Sequence, residues 1–373
     1  MNLDFSDEQK QLRDQVRRFL SEKCPPEAVR AILESDATYD KALYAGLADM
    51  GLLGAAIPEA YGGVGLGHLE LCVIAEELGR AIAPVPVASS IYLAAEFLLL
   101  AGSESQKSEW LPKLAAGEAI GTFALAEGQG RAGPDNISVS AKGSKLSGVK
   151  MPVADGADAD FAIVAAKDEK GISLYLVSLT GEGVARETLQ SIDPTRGQAR
   201  LTFDNAPAEL LGTAGDGWHI ATQVMDRAAV LMAFEQVGGA DKALEMARDY
   251  ALERMAFGRP IGSFQAIKHI LADMYVSATL ARSNCYYGAW ALGSSPAELP
   301  VAAATARVSA TTAFQHCSKN NIQVHGGMGF TWAFDCHLYY RRSNNLALAL
   351  GSLSTWEAEL IDRMSAGNAE TAA

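Results

Sequence analysis

The sequence predicts an α+β protein in three segments: an N-terminal all-α domain over 1–118, a middle antiparallel β-domain over 119–212, and a C-terminal four-helix bundle over 213–373. Three observations carry this. Apolar residues recur at helical spacing in both outer segments. From about residue 120 the texture changes to short apolar runs broken by Gly, Asp and Pro. Beyond Gly217 long helical stretches return, separated by three loops, which is the pattern of a bundle.

Taken in order, Ser6 is placed to cap the first helix with Gln9 three residues on, and Leu12, Val16, Phe19 and Leu20 follow on one face. Pro25-Pro26 and the loop Pro58-Glu-Ala-Tyr61-Gly-Gly63-Val-Gly65 punctuate the helices. Leu69–Leu78 and the very apolar Ser90–Ala101 read as buried helix. The strands are expected at Phe123–Ala126, Leu146–Lys150, Phe161–Ala166, Ile172–Val177 and Ala199–Phe203. The bundle helices are expected over 218–250, 264–292, 297–322 and 337–366, with the Ala-rich Ala303–Ala313 suited to close helix packing.

Composition narrows the function classes. Hydrophobic residues at 49% with 20% charged are those of a globular chain, not a disordered one. The net charge is −13 and no Lys/Arg-rich run interrupts it, so no nucleic-acid partner is expected. No apolar run reaches the roughly 18–20 residues of a membrane span. The acidic, polar start is unlike a secretory or transit peptide. Cys24, Cys72, Cys285, Cys317 and Cys336 are scattered, which predicts reduced thiols in the cytoplasm and neither a disulfide frame nor a zinc site.

Two stretches stand apart from the helices around them. They are Arg254-Met-Ala-Phe257-Gly258-Arg-Pro-Ile-Gly-Ser-Phe-Gln265 and Gln323-Val-His325-Gly326-Gly327-Met-Gly329-Phe-Thr. Arg offers a fixed fork of donors to a pyrophosphate. Glycine lets backbone N–H groups come close to the same anion. Together they point to an adenine dinucleotide gripped between helices. His325 is read as orienting its loop. His269, His316 and His337 have no acidic neighbours at metal spacing, so no metal is expected. Ser147 and Ser263 lack a nucleophile-elbow setting.

With these motifs, and with Gly51-Leu-Leu-Gly54…Pro58-Glu-x-Tyr61-Gly62-Gly63 and Phe123-Ala-Leu-Ala-Glu127-Gly128, the chain resembles the acyl-CoA dehydrogenase family along essentially its whole length. The resemblance implies FAD, with Arg254, Phe257, Gln265, Gln323, Gly326 and Gly327 reaching its diphosphate and adenine across a subunit interface. It further implies an acyl-CoA thioester substrate, a homo- or heterotetramer, and an electron-transfer flavoprotein as acceptor. Asp226 matches a position that contacts the pantetheine arm of CoA; as a lone Asp at a helix start it is equally a candidate N-cap.

The family reaction needs a carboxylate base for the α-proton and a polarised thioester carbonyl. The resemblance places the base at one of two positions, here Leu350 and Ala229, and neither side chain accepts a proton. The Leu350 N–H still matches the donor that polarises the carbonyl. The family's Trp-Ile-Thr/Ser beside the flavin reads Pro152-Val153-Ala154 here, without the ring and without the hydroxyl. Such departures resemble divergent members that pair with a homologous subunit in bacterial steroid side-chain breakdown.

Within the chain, Glu235 in the apolar Leu231–Gly239 stretch is a candidate base, burial favouring its neutral form; its alternative is a structural partner of a neighbouring helix. Glu127 is read as a loop residue near the flavin. Ala228, Ala229 and Ala233 leave room for a bulky acyl group. Three readings follow: an FAD-binding subunit whose base comes from a partner chain or from a residue of this chain not yet singled out, a self-sufficient homo-oligomer using Glu235 or another carboxylate, and a non-catalytic flavin-binding or structural subunit.

Overall fold

The computed structural model of the chain describes residues 5–371, with side chains described to residue 366. It consists of two compact units. A helical unit gathers the described residues up to Arg30, Cys72–Ala83 and those from Ala229 onward; a sheet-bearing unit comprises Ala31–Leu71 and Pro84–Ala228.

In chain order the N-terminal helices are α1 (Asp7–Lys23), α2 (Pro26–Leu33), α3 (Lys41–Asp49), α4 (His68–Arg80), α5 (Glu96–Ala101) and α6 (Glu104–Ala115). The strands are β1 (Gly121–Ala124), β2 (Ser140–Lys142), β3 (Lys145–Ala154), β4 (Phe161–Asp168), β5 (Gly171–Ser178), β6 (Val184–Leu189), β7 (Gln198–Pro207) and β8 (Glu209–Leu211). The C-terminal helices are α7 (Gly217–Glu253), α8 (Gln265–Ser294), α9 (Leu299–His325), α10 (Cys336–Leu348) and α11 (Leu353–Thr371).

The cap of α1 forms as predicted, a reciprocal pair that satisfies two helix-end donors. Ser6 Oγ accepts from the Gln9 N–H at 3.2 Å and the Gln9 side chain accepts from the Ser6 N–H at 2.9 Å. In the helical unit, α4 and α7 cross at glycines. A Cβ on Gly79 would lie 1.8 Å from the Glu235 carbonyl oxygen, and one on Gly238 would lie 1.9 Å from that of Glu76. Nothing larger fits, so the two backbones touch. Charged residues of α4 are taken up around this crossing: Glu77 by Arg17 at 2.6 Å and Glu76 by Arg282 at 2.7 Å. The alanines of α9 bury completely at 302–304, 306, 310 and 313, as its composition predicts.

The predicted helix over 337–366 is two helices, α10 and α11. Leu350 at φ +61° and Gly351 at φ +106° turn the chain between them. Ser352 Oγ then accepts from the Thr355 N–H at 3.3 Å. That is an N-cap contact, and it starts α11. Gly351-Ser352 is the stop-and-start signal that an uninterrupted periodicity hides.

In the sheet-bearing unit the strands run in the order β6-β7-β3-β2-β4-β5-β8, with β1 beside β4. Pairing is antiparallel apart from β1–β4 and a single β2–β4 contact. All five expected strands are present. The three not foreseen are short or polar: β2 and β8 have three residues each, and β6 reads Val-Ala-Arg-Glu-Thr-Leu on the open edge. Phe161–Ala166 of β4 is buried at every residue, so its run is apolar without alternation. The stretch expected as helix over Ser90–Ala101 is helical and buried, its first part a π-helical segment, Ala88–Ala95, that continues into α5.

Glu127 is part of this unit's framework. Lys150, fully buried on β3, donates to the Leu125 carbonyl at 2.9 Å and to Glu127 at 2.7 Å. Glu127 also accepts from the N–H groups of Ser138 and Val139. Burial by itself would raise the Glu127 carboxyl, but Lys150 and these donors outweigh it and hold the group below the usual carboxylate range. A carboxylate so tied fixes the loop after β1.

Candidate functional site

Both motif stretches line one cleft of about 400 Å³ in the helical unit, formed by Tyr250, Arg254, Ile261, Val324, His325, Gly326, Gly327 and Met328. Each wall has a local cause. At the end of α7 the Arg254 N–H still bonds the Tyr250 carbonyl at 2.8 Å, and the Arg254 carbonyl then accepts from Ile261 at 2.8 Å. Between them runs a minimal hairpin in which Met255–Ala256 pairs with Arg259–Pro260. Its two turn residues, Phe257 at φ +52° and Gly258 at φ +78°, are both left-handed. A two-residue hairpin turn of this hand demands that of both positions. Glycine does this freely; phenylalanine does it under strain. The strained Phe257 is 95% exposed, and its ring meets that of Phe264 edge-on at 6.1 Å.

The opposite wall is the end of α9. Gly326 adopts φ +60°, ψ −138°, and its N–H bonds the Gln323 carbonyl. That backbone conformation is open to glycine alone. A Cβ on Gly326 or Gly327 would meet nothing within 4 Å, whereas one on Gly329 would strike the Ile322 carbonyl at 2.6 Å. Gly329 is therefore required by packing. No described atom requires glycine at 327, and the space above both residues is open to an outside group.

His325 stiffens this wall. Its ring stacks on Tyr250 at 4.1 Å and meets Phe334 edge-on at 5.6 Å. Its Nδ1 lies 2.9 Å from the Asn321 carbonyl oxygen. A carbonyl only accepts, so Nδ1 carries the proton. Burial pushes the His325 pKa down, which keeps the ring neutral and in place.

An exposed guanidinium in one cleft with two glycines whose backbone is open suits a diphosphate. The cleft has room for a diphosphate and an adjoining group but not for a whole dinucleotide. Arg254, Gly326 and Gly327 are thus gathered in one place. Phe257 at the hairpin tip, Gln265 at the start of α8 and Gln323 on the last turn of α9 are exposed, and they are not among the residues lining the cleft. Tyr250, Ile261, Val324 and Met328 were not singled out beforehand. Tyr250 stands one helical turn before Arg254, and that spacing was the available signal. The same segments expose Leu252, Met255, Phe330 and Trp332, Phe330 at 79%.

The remaining candidates lie elsewhere in the chain. Asp226 is buried in the interior of α7, which begins at Gly217, so it is no N-cap. Ala229 is wholly buried in the same helix, and Leu350 sits on the turn after α10. Glu235 is fully buried, its carboxylate 3.7 Å from Arg342, which also donates to the carbonyls of Ile82 and Ala83 at 3.2 Å each. That is the setting of an internal ion pair. Among the described residues no three His, Cys, Asp or Glu side chains stand where they could hold a metal, and no helix is long and apolar enough to cross a membrane.

Residues 6–118 match the family described as acyl-CoA dehydrogenase, N-terminal domain, and residues 215–361 match acyl-CoA dehydrogenase, C-terminal domain. The chain is 33% identical over 347 residues to acyl-CoA dehydrogenase IpdE2 of Mycobacterium tuberculosis, spanning 93% of this chain and 94% of that one. Among solved structures it superposes on the Tcur3481-Tcur3483 steroid ACAD with a TM-score of 0.89 at 30% identity, covering 97% of this chain and 99% of that one. It superposes equally, TM-score 0.89 at 28% identity, on the ChsE4-ChsE5 complex from Mycobacterium tuberculosis, covering 98% of this chain and 99% of that one.

Proposed function

The chain belongs to the acyl-CoA dehydrogenase family, whose members are FAD-dependent oxidoreductases acting on acyl-CoA, and we propose that it is an FAD-binding subunit whose catalytic base comes from a homologous partner chain. The observation that carries this reading is the convergence of Arg254 with Gly326 and Gly327 in one cleft. The reaction is α,β-desaturation of an acyl-CoA thioester: a carboxylate takes the α-proton while the β-hydrogen leaves as hydride. FAD, when bound, supplies the acceptor for that hydride.

The chain's own residues divide the remaining work. Arg254 holds the diphosphate, and the bare backbone at Gly326 and Gly327 lets that group come close. Phe257, Gln265 and Gln323 reach the adenine side from their exposed positions, across a subunit interface. The exposed Leu252, Met255, Phe257, Phe330 and Trp332 support such an interface, since large apolar groups clustered on two segments mark a covered surface. Asp226 takes the pantetheine arm. The Leu350 N–H polarises the thioester carbonyl, a role independent of the side chain.

A partner supplies the base because Leu350 and Ala229 cannot, and because Glu235 is engaged by Arg342. Assembly as a heterotetramer gains support from relatives whose names pair two chains, the ChsE4-ChsE5 complex and the Tcur3481-Tcur3483 steroid ACAD. The steroid relative favours a bulky, ring-bearing acyl group. Electrons then pass to an electron-transfer flavoprotein, in the cytoplasm.

The test is the chain purified alone and titrated with acyl-CoA thioesters while its flavin absorbance is followed. Yellow protein that bleaches only after a homologous subunit carrying a glutamate is added is the expected result. Bleaching without it would sink the partner requirement, and colourless protein under all conditions would sink flavin binding. Turnover of a short straight-chain thioester but not of a ring-bearing one would remove the substrate assignment.

A further inference from the structure

The turn that carries Leu350 is pinned from three helices of the helical unit. Arg307 on α9 is among the largest fully buried side chains of the protein. Its Nη1 donates to Gln236 Oε1 on α7 at 2.6 Å, and its Nη2 donates to the carbonyls of Leu346 and Ala349, the latter at 2.6 Å. Gln236 is set in turn by Thr311, whose hydroxyl accepts from its Nε2 at 3.1 Å. From α11, Trp356 Nε1 donates to the Leu350 carbonyl at 3.1 Å. Three points of one turn, the carbonyls of residues 346, 349 and 350, are thus held by fixed donors.

What these donors hold is a strained conformation. Leu350 stands at φ +61°. A left-handed backbone is strained for a residue that carries a side chain. The Leu350 N–H has no backbone acceptor among the described residues, while its carbonyl is taken. Closing the C-terminal end of a helix does not require a buried guanidinium; glycine and water suffice elsewhere. Burial pushes Arg307 down to about 10, a cost that neutral caps avoid. The buried charge therefore serves the placement of this turn.

We propose that Arg307 is a positioning residue, fixing the Ala349–Gly351 turn so that the Leu350 N–H is presented to the thioester carbonyl of a bound acyl-CoA. This rests on the reading of Leu350 given above. Arg307 acts through the backbone and touches no reacting atom.

The experiment compares wild type with Arg307→Met, Arg307→Lys and Trp356→Phe, each assembled as the flavin-loaded enzyme. The probe is 3-cyclohexylpropanoyl-CoA labelled at the thioester carbonyl carbon. Isotope-edited infrared spectroscopy reports polarisation of that carbonyl as a shift to lower frequency. In wild type the band moves down on binding. In Arg307→Met it returns toward its solution position while flavin content is kept, and kcat falls about 100-fold with KM changed less than about threefold, as for a displaced oxyanion donor. Arg307→Lys, which keeps a cationic donor, restores part of the shift.

A full shift in Arg307→Met overturns the proposal, as does a loss of kcat that only tracks loss of flavin. Should Arg307→Met fail to fold, Arg307→Lys and Trp356→Phe carry the test: a reduced shift in both supports it and an unchanged shift in both overturns it. A wild type that shows no shift at saturating probe overturns the reading of Leu350 and this role with it. A shift present in wild type and unaltered in every variant overturns Arg307 alone.

Discussion

Replacing Glu235 by glutamine separates a structural carboxylate from a catalytic one. The amide keeps the shape of the side chain and removes its charge. In the native protein that charge lies 3.7 Å from the Arg342 guanidinium, both side chains fully buried. At an effective dielectric of about 20 the attraction over that distance is about 4 kcal/mol. Glu235→Gln also relieves the desolvation of one buried ion. It leaves Arg342, however, buried against the carbonyls of Ile82 and Ala83 without that counter-charge.

The expected net loss is about 3 kcal/mol, which in a chain of this size lowers the melting temperature by roughly 4 °C. The double variant Glu235→Gln/Arg342→Met removes both charges and recovers more than half of that loss, because an apolar side chain of similar volume avoids the cost of a buried cation stripped of its carboxylate. Thermal unfolding followed by circular dichroism measures both. Once these proteins are assembled with the homologous glutamate-bearing subunit, acyl-CoA-dependent flavin bleaching per bound flavin stays within a factor of about two of wild type, since an ion-paired residue makes no transition-state contact. The reasoning is refuted by a Glu235→Gln protein that melts like wild type and no longer bleaches, the behaviour of a catalytic base.

Other consequences can be measured separately. Phe257 is a left-handed phenylalanine that is almost wholly exposed. With that strain relieved in Phe257→Gly, the flavin-free chain should be unchanged or up to about 1 kcal/mol more stable, yet retain flavin less well; a clear drop in its melting temperature would mean that the ring packs within its own chain. Arg254→Gln should weaken flavin retention about 10- to 100-fold on dilution, the worth of a charged hydrogen bond or two, with helix content unaltered; undiminished retention would remove Arg254 from the diphosphate site. His337 adds an acid sensitivity: burial first, and then the nearby Arg30 and Arg341, lower its pKa from 6.5 to about 4. The native state resists a proton that the unfolded chain accepts, so stability is lost as pH falls from 6.5 toward 4. In His337→Phe the loss over that window should be smaller, and an identical pH profile would show that His337 does not contribute.

Much of the architecture could be read before any coordinates because it follows from local chemistry. Ser6 and Gln9 specify the start of α1 by themselves. The five apolar runs became β1, β3, β4, β5 and β7, whereas β6, on an open edge with a polar sequence, gives no periodic signal. The break between α10 and α11 was missed because Leu350 and Gly351 interrupt an otherwise steady helical pattern for only a few residues. Of the two readings of Asp226, the cap fails because the residue lies in the interior of α7 and not at its start.

The candidate site divides along the same line. Arg254, Gly326 and Gly327 could be named from residue type and spacing, since a donor fork and bare backbone are properties of the residues themselves. The absence of a proton acceptor at Leu350 and Ala229 was likewise a matter of side-chain identity. Whether Glu235 is free to act was not, because its partner Arg342 stands far along the chain, on α10, and meets it only through packing. The same holds for Arg307, which reaches Gln236, Leu346 and Ala349 only once α7, α9 and α10 are packed. Sequence alone determined which groups this protein presents to the proposed dinucleotide, and that neither Leu350 nor Ala229 can take a proton. Only the tertiary structure decided which buried charges are already committed, because burial and distance, not residue type, set the energy of an ion in a protein interior.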